Sequence, residues 1–326
     1  MLGLLTVIHP LVDACSYSVL LVGGASWERV IVYNLLAFAL QFPLGVLLDV
    51  RERWLPAAFL CGTGLILLAA GATVAGLTGW FTLAAVCMGN ALFHLSAGKH
   101  LLETQDGRSG PIGLFISTGA LGLLAGKWGF MTHPIPYLAL FASALAAMTV
   151  LAVWQRFSKG KCSSFFMIRS SFPAPLPRHS LSEGGLSSLP SPPSDPFPLA
   201  DLLITVGLFI LIAGRSWAGM TAGWLTASGG ILLSLAGAAA IWAGKAAGGY
   251  LAERLGRWRV TAASVCGSLV LVTFCPPEQT AAWLVLLVVS QLATGPLLSL
   301  LYTRFRGEGG TAFGLNCLAL FTGGLG

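Results

Sequence analysis

Two ionisable side chains stand four residues apart in an apolar run near the start of the chain. His9 and Asp13 lie within LGLLTVIHPLVDACSYSVLLV, and this spacing puts both on one face of a helix. Burial disfavours a charged carboxylate, whereas a neighbouring cation favours it, so the two groups together could take up and release a proton. The pair predicts a proton-coupling site, with a plain hydrogen bond between helices as the alternative.

Four further polar residues fall inside apolar runs, where an ionisable group is costly and is usually functional. We predict that Asn90 and His94, one helical turn apart, join the same cavity as a proton relay or substrate contact; a helix–helix hydrogen bond is the alternative. Arg215 is expected to pair with Asp13 or to bind an anionic substrate, unless its guanidinium extends to the outer interface. Lys245 is expected to extend its ammonium group toward the inner face.

The composition excludes a water-soluble globular protein. Of 326 residues, 56% are hydrophobic and 9% are charged, against about 25% charged in a soluble domain. A membrane-spanning helix needs roughly 20 apolar residues, and the chain predicts an all-α membrane protein of about eleven such helices. They lie near 1–24, 30–48, 55–77, 80–98, 111–130, 135–154, 200–222, 229–251, 260–275, 281–302 and 310–326. The final run ends at Gly326, which suggests that a twelfth helix of the design is missing.

No sequence motif of catalysis, metal binding or nucleotide binding is present. The chain has no HExxH, no phosphate-binding loop and no GxSxG elbow, each of which marks a known chemistry. We therefore expect no enzyme activity, no metal and no cofactor. The expected partners are protons, membrane lipid and a small molecule, with an anionic one favoured by Arg215. No basic aromatic patch suggests nucleic-acid binding.

The cations predict the orientation of the chain, because loops inside the cell are enriched in Lys and Arg. When the loop after the second run is placed inside, nine cations lie inside and two, Arg29 and Lys127, lie outside. The nine are Arg51, Arg53, Lys99, Arg108, Arg254, Arg257, Arg259, Arg304 and Arg306. This predicts a multi-pass protein of the plasma or inner membrane with a cytoplasmic N-terminus.

A Ser- and Pro-rich segment divides the chain in two. Residues 156–199 include SLPSPPSDPFP, a composition too poor in apolar residues to form a core. We expect a disordered cytoplasmic linker here. It separates an N-terminal six-helix bundle, 1–155, from an incomplete C-terminal bundle, 200–326.

An internal repeat marks the ends of the second apolar run in each half. The first copy reads FPLGVLLDVRERW and the second reads AGGYLAERLGRWRV. In both, a glycine precedes an acid by four residues and arginines follow, so the glycine allows a close helix neighbour on the face of the acid. We predict a conformational latch in each half, with chance occurrence in cation-rich loops as the alternative. The predicted latch residues are Gly45, Asp49, Arg51, Arg53, Gly249, Glu253, Arg254 and Arg257.

The repeat resembles the loop motif of the major facilitator superfamily, G-x-x-x-D-R/K-x-G-R/K-R/K. The second copy is close to the motif, with Glu253 in place of Asp; the first lacks the internal Gly and has Val50 and Glu52 between the charges. The resemblance covers nearly the whole chain. It implies two pseudo-symmetric six-helix bundles, a central cavity and secondary transport by alternating access.

Three segments are similar to bacterial fosmidomycin-resistance-type antiporters: HPLVD, GNALFHLSAGK and GLFISTGALGLLAGKWG. Within the third, Gly113, Gly122 and Gly126 match the spacing of an antiporter motif, although Lys127 replaces its proline and Phe130 its last glycine. The resemblance implies proton-coupled efflux of a small molecule. A proton-coupled importer and a transport-inactive scaffold or sensor remain alternatives, and the glycines would serve helix packing in any of them.

Overall fold

The structure is a computed structural model that describes residues 2–158, 199–227, 230–274, 279–305 and 307–324. When helices that continue through a short turn are counted as one, these residues form eleven helices. They are α1 (Leu2–Val22), α2 (Trp27–Val50), α3 (Glu52–Val74), α4 (Trp80–Thr104), α5 (Ser109–Thr132), α6 (Pro134–Ser158), α7 (Leu199–Ala227), α8 (Gly230–Leu255), α9 (Arg257–Phe274), α10 (Thr280–Arg304) and α11 (Gly309–Gly323).

The helices confirm the predicted all-α membrane architecture. Nine of those in the described ranges, all except α9 and α11, are long and apolar enough to cross a membrane. Large apolar side chains face outward along them; Leu68, Phe81 and Leu232 are among the most exposed. Such a surface suits lipid and not water. The chain is an integral, multi-pass membrane protein.

Several helices are interrupted near their middle. Helix α2 contains a π-helical turn, Leu35–Ala39, and α5 breaks at Thr118 into Ser109–Ser117 and Gly119–Thr132. At the α5 break the hydroxyl of Thr118 donates to the Phe115 carbonyl, 2.9 Å away; such local side-chain bonds compete with the helical ladder. Breaks in membrane helices place backbone carbonyls beside a central cavity.

The helices form two bundles, α1–α6 and α7–α11. One apolar cluster lies wholly in the first bundle and another wholly in the second. A third cluster joins them, with Leu48 and Leu95 from the first bundle and Leu298, Phe313 and Cys317 from the second. The bundles meet mainly where α5 packs on α8 and α11 packs on α2.

Most of the predicted loop cations lie within the first or last turn of a helix, and two lie deeper. Lys99 lies inside α4 and is 1% exposed, and Lys127 lies inside α5. Neither therefore counts as a loop charge: α4 extends six residues past the run predicted at 80–98, and Lys127 lies within the run predicted at 111–130. The predicted linker, 156–199, lies outside the described residues except at its ends, where α6 runs to Ser158 and α7 begins at Leu199. Arg306 also lies outside them.

Candidate functional site

The structure brings His9, Asp13 and His94 together into one buried cluster, which we call the central triad. The Asp13 carboxylate lies between the two rings: its Oδ2 lies 3.2 Å from His9 Nε2 and its Oδ1 lies 3.3 Å from His94 Nε2. Helix α1 supplies the first two residues and α4 supplies the third. The side chains of Asp13 and His94 keep 12% and 14% of their exposure, so solvent reaches the triad although it lies in mid-helix.

The second nitrogen of each imidazole faces a backbone carbonyl. His9 Nδ1 lies 2.7 Å from the oxygen of Phe115, at the α5 break, and His94 Nδ1 lies 2.9 Å from the oxygen of Asn90. A carbonyl only accepts, so each of these contacts is filled only when Nδ1 carries the proton. In a neutral imidazole the Nε2 lone pair would then point at a carboxylate oxygen, which also only accepts.

The triad therefore holds four N···O contacts and, with both imidazoles neutral and Asp13 ionised, two protons to fill them. One added proton satisfies a third contact, and a second added proton satisfies all four. The net charge of the three side chains then runs from −1 to +1. The arrangement is chemically suited to binding one or two protons; the ligand atoms also lie within 4.8 Å of one another, a spacing that a divalent metal ion can bridge.

Neighbouring groups fix the position of the carboxylate. Asn90 donates from its side-chain amide to Asp13 Oδ1 at 3.4 Å and to the Ser16 hydroxyl at 3.2 Å. Gly119 is needed beside the triad, because a Cβ there would come within 2.5 Å of Asp13 Oδ2. Sequence analysis missed Ser16, although it follows Asp13 by three residues and so shares its helix face.

Arg215 and Lys245 lie in the second bundle, and neither takes the predicted partner or direction. Arg215 donates to the side-chain oxygen of Gln291 at 2.9 Å and not to Asp13. Lys245 donates to the carbonyl of Ile116 at 3.4 Å, at the α5 break, and does not extend to the inner face. The alternative role of Arg215, binding of an anionic substrate, stays a prediction.

Asp49, at the end of α2, holds the start of α11. Its carboxylate accepts from the backbone N–H groups of Gly310 and Thr311, at 2.9 and 2.6 Å, and from the Thr311 hydroxyl at 2.6 Å. Lys99 donates to the same carboxylate at 2.7 Å. A carboxylate at a helix N-terminus also meets the positive end of the helix dipole. We call this contact between the bundles the Asp49 cap.

Glu253, at the end of α8, makes the reciprocal contact with the start of α5. Its carboxylate accepts from the Gly110 N–H at 3.0 Å and from the Arg108 guanidinium at 2.9 Å. The hydrogen bond and the charge of Glu253 raise the pKa of Arg108. We call this the Glu253 cap, and the face of the molecule that carries both contacts the cap face. Thus a helix end of the first bundle holds a helix start of the second at the Asp49 cap, and the reverse holds at the Glu253 cap.

The predicted latch arginines do not form the caps. Arg51 and Arg53 are exposed, and Arg51 lies over the ring of Trp54. Arg254 is also exposed, whereas Arg257 reaches across to the carbonyl of Gly107 at 3.4 Å. The cations that donate to the two carboxylates are instead Lys99 and Arg108.

The predicted packing glycines lie at close helix contacts. A Cβ on Gly45 would overlap the Gly310 carbonyl, so α2 and α11 touch through their backbones. Gly249 and Gly113 bring α8 and α5 equally close, while Gly122 and Gly126 face α1 within the first bundle. Small residues permit such approach in membranes.

No protein-family model matches the sequence, and no curated protein sequence matches it either. Solved structures do match the fold. The structure of the major facilitator superfamily transporter FucP in the outward conformation has a TM-score of 0.61, at 12% identity, over 99% of this chain and 89% of that one. A bacterial homologue of the iron transporter ferroportin, in the outward-facing state, has a TM-score of 0.55 at 15% identity, and the match covers 99% of this chain and 90% of that one.

These similarities confirm the predicted architecture of two pseudo-symmetric bundles. They do not extend to the fosmidomycin-resistance subfamily, which stays a resemblance of sequence. At such identities a structural match establishes the fold and not the substrate. The chain has the fold of the major facilitator superfamily transporters.

Proposed function

We propose that this protein is a secondary transporter that exports a small molecule by alternating access, with coupled proton movement at the central triad. The observation that carries the proposal is the proton deficit of that triad. Both nitrogens of His9 and of His94 face acceptor oxygens, and two neutral rings cannot fill four contacts. A buried site that lacks protons, yet keeps contact with solvent, is suited to loading and unloading them.

The proposed movement is a rocking of α1–α6 against α7–α11. The Asp49 and Glu253 caps would hold the bundles together on the cap face and separate when the transporter changes state. With the N-terminus inside the cell, as the cations predict, the cap face is cytoplasmic and this conformation is outward-facing. Two of the similar solved structures are described as outward-facing or in an outward conformation.

Export rests on the resemblance to fosmidomycin-resistance-type antiporters, and a proton-coupled importer is the alternative. The same triad would serve either direction, because a proton site alone sets no direction of net transport. One similar structure is described as a fucose:proton symporter. A transport-inactive scaffold or sensor is the further alternative, and it predicts no substrate-dependent proton movement.

The test uses the purified full chain in sealed proteoliposomes that contain a pH-sensitive dye. Small anions and lipophilic compounds are added one at a time, and internal pH is followed for the wild type and for Asp13→Asn. The matched control is Asp201→Asn, which removes a carboxylate of the second bundle that pairs with Arg304 at 2.7 Å, away from the triad. We expect at least one compound to change the internal pH with the wild type and with the control, and no compound to do so with Asp13→Asn.

Three results would overturn the proposal. Equal proton movement in Asp13→Asn and the wild type would remove the triad from coupling. No movement with any compound, from protein shown to be folded by its elution as a single species, would favour the scaffold. Uptake of Mn²⁺ that is lost in Asp13→Asn and moves no protons would mean that the triad binds metal cargo rather than coupling protons.

A further inference from the structure

Two cations lie inside the membrane region of the second bundle without an acidic partner. Arg215 bonds only to the neutral side chain of Gln291 among the described residues, and its Nε is buried with no hydrogen-bond partner. Lys245 bonds to the neutral carbonyl of Ile116. Lys245 precedes Glu253 by eight residues, about 12 Å of helix, so it lies deep in the membrane region.

Among the described residues, no acid pairs with either cation. The sequence has twelve Asp and Glu residues, and within the described ranges no carboxylate oxygen lies within 4.0 Å of either cation. Asp49, Glu253 and Asp201 are engaged on the cap face. Asp13 is held by two imidazoles. An unneutralised charge is costly in a membrane, and such cations mark substrate or ion pathways.

Lys245 is linked to the central triad through consecutive carbonyls of the α5 break, and Arg215 lies near enough to Lys245 for their charges to repel. Phe115 bonds His9 through its carbonyl, and Ile116 bonds Lys245. An anion bound at Lys245 would therefore lie next to the triad. With the imidazoles neutral, Arg215, Lys245 and Asp13 sum to +1, and each proton that the triad binds adds one more positive charge. A doubly charged anion balances the site once one proton is bound.

We infer that Arg215 and Lys245 form the anion subsite of the substrate, and that the substrate carries a compact, doubly charged oxyanion group. The guanidinium supplies a planar fork of N–H donors, which matches two oxygens of one group, and the ammonium supplies a point charge. This inference deepens the proposed function, because the role of the subsite in transport rests on that function. The binding itself needs no proton movement and can be tested apart from it.

The experiment measures the melting temperature of the purified full chain in detergent at constant ionic strength. The probes are inorganic phosphate, succinate, acetate and chloride, so that two dianions are compared with two monoanions. A ligand that binds the folded protein raises the melting temperature as its concentration exceeds Kd. We expect protection by at least one dianion at concentrations where acetate and chloride give none. Protection by phosphate would support a single doubly charged group, whereas protection by succinate alone would indicate two separate carboxylates and overturn the compact group.

The variants are Arg215→Gln and Lys245→Met, each with one cation removed. We expect the apparent Kd for the protecting dianion to rise at least tenfold in both. We also expect Lys245→Met to melt at a higher temperature than the wild type without anion, since it removes an uncompensated charge. The matched control Arg259→Gln removes an exposed cation of the same bundle and should leave Kd unchanged.

Protection of equal size in all variants, or by chloride as well as by the dianions, would show ionic-strength effects and overturn the subsite. Absence of protection by every probe would also overturn it. If Arg215→Gln does not fold, Lys245→Met decides the question alone. Binding of a dianion without proton movement in liposomes would leave the subsite standing and refute the proposed coupling.

Discussion

The Asp49 cap makes a quantitative prediction, because its bonds to α11 exist only while the bundles touch. In Asp49→Asn the side chain keeps one acceptor oxygen and loses its charge. The bond from Lys99 lies within the first bundle in either state, so it cancels from the equilibrium. The variant loses the two bonds that Thr311 makes to Oδ2, because its one oxygen stays at Oδ1, where Gly310 and the Lys99 ammonium donate. Loss of two charge-assisted bonds at about 1.5 kcal/mol each shifts the balance by ~3 kcal/mol, roughly a hundredfold.

Cys317 provides the assay for this shift. It is 4% exposed and packs in the apolar cluster that joins the bundles, so a water-soluble maleimide should reach it only when α11 leaves α2. The other six of the seven cysteines are replaced by serine or alanine. We expect the alkylation rate to rise by up to about a hundredfold in Asp49→Asn. The rise is smaller if the separated state already becomes the major state before that factor is reached.

The control is Asp201→Asn, which removes a carboxylate on the cap face that pairs inside the second bundle. It should leave the alkylation rate of Cys317 within twofold of the parent. A rate in Asp49→Asn that equals the parent rate would refute the role of the cap in joining the bundles. An equal rise in both variants would refute it too, because general loosening of the fold would then explain the labelling.

Two more predictions concern the cap face. Glu253→Gln should raise alkylation in the same assay by less than Asp49→Asn, because Glu253 accepts a single backbone N–H and its partner Arg108 is 60% exposed, where an ion pair contributes little. The pKa of Glu308 is raised by burial and then by the charge of Asp49. The joined state should therefore gain stability at low pH; the gain is fully present below the ordinary pKa of 4.5 and is lost as pH rises through the raised pKa. The alkylation rate of Glu308→Gln divided by that of the parent cancels the pH dependence of the thiol and should grow as pH falls. A ratio that does not change with pH would contradict this.

Local patterns in the sequence predicted the helices and, for each cap, the acid but not its partners. Apolar runs predict spanning helices because lipid imposes a fixed length, and the i, i+4 spacing of His9 and Asp13 predicts a shared face. The repeat likewise pointed to Asp49 and Glu253. These inferences depend only on helix geometry and on the solvent, which a single segment reveals.

Partners from distant segments could not be predicted in the same way. Asp49 meets Thr311 and Lys99, and Arg215 meets Gln291, through packing that no local spacing encodes. Lys99 shows the difficulty best: counted as a loop cation, it lies buried between two acids, Asp49 and Glu103. The rule that assigns cations to loops fails where a helix extends past its apolar run and carries its own counter-ions.

Helix α5 connects the caps to the centre of the protein. Its first half, Ser109–Ser117, is held to α8 by the Glu253 cap and by Gly113, and its second half, Gly119–Thr132, lies against α1 through Gly122 and Gly126. The break between the halves carries the two carbonyls that hold His9 and Lys245. Separation of α5 from α8 must break the Lys245 contact while the His9 contact, within the first bundle, can persist. In the proposed function, the same motion that opens the cap face would move the proposed anion subsite away from the central triad, so the two sites would respond together to a change of state.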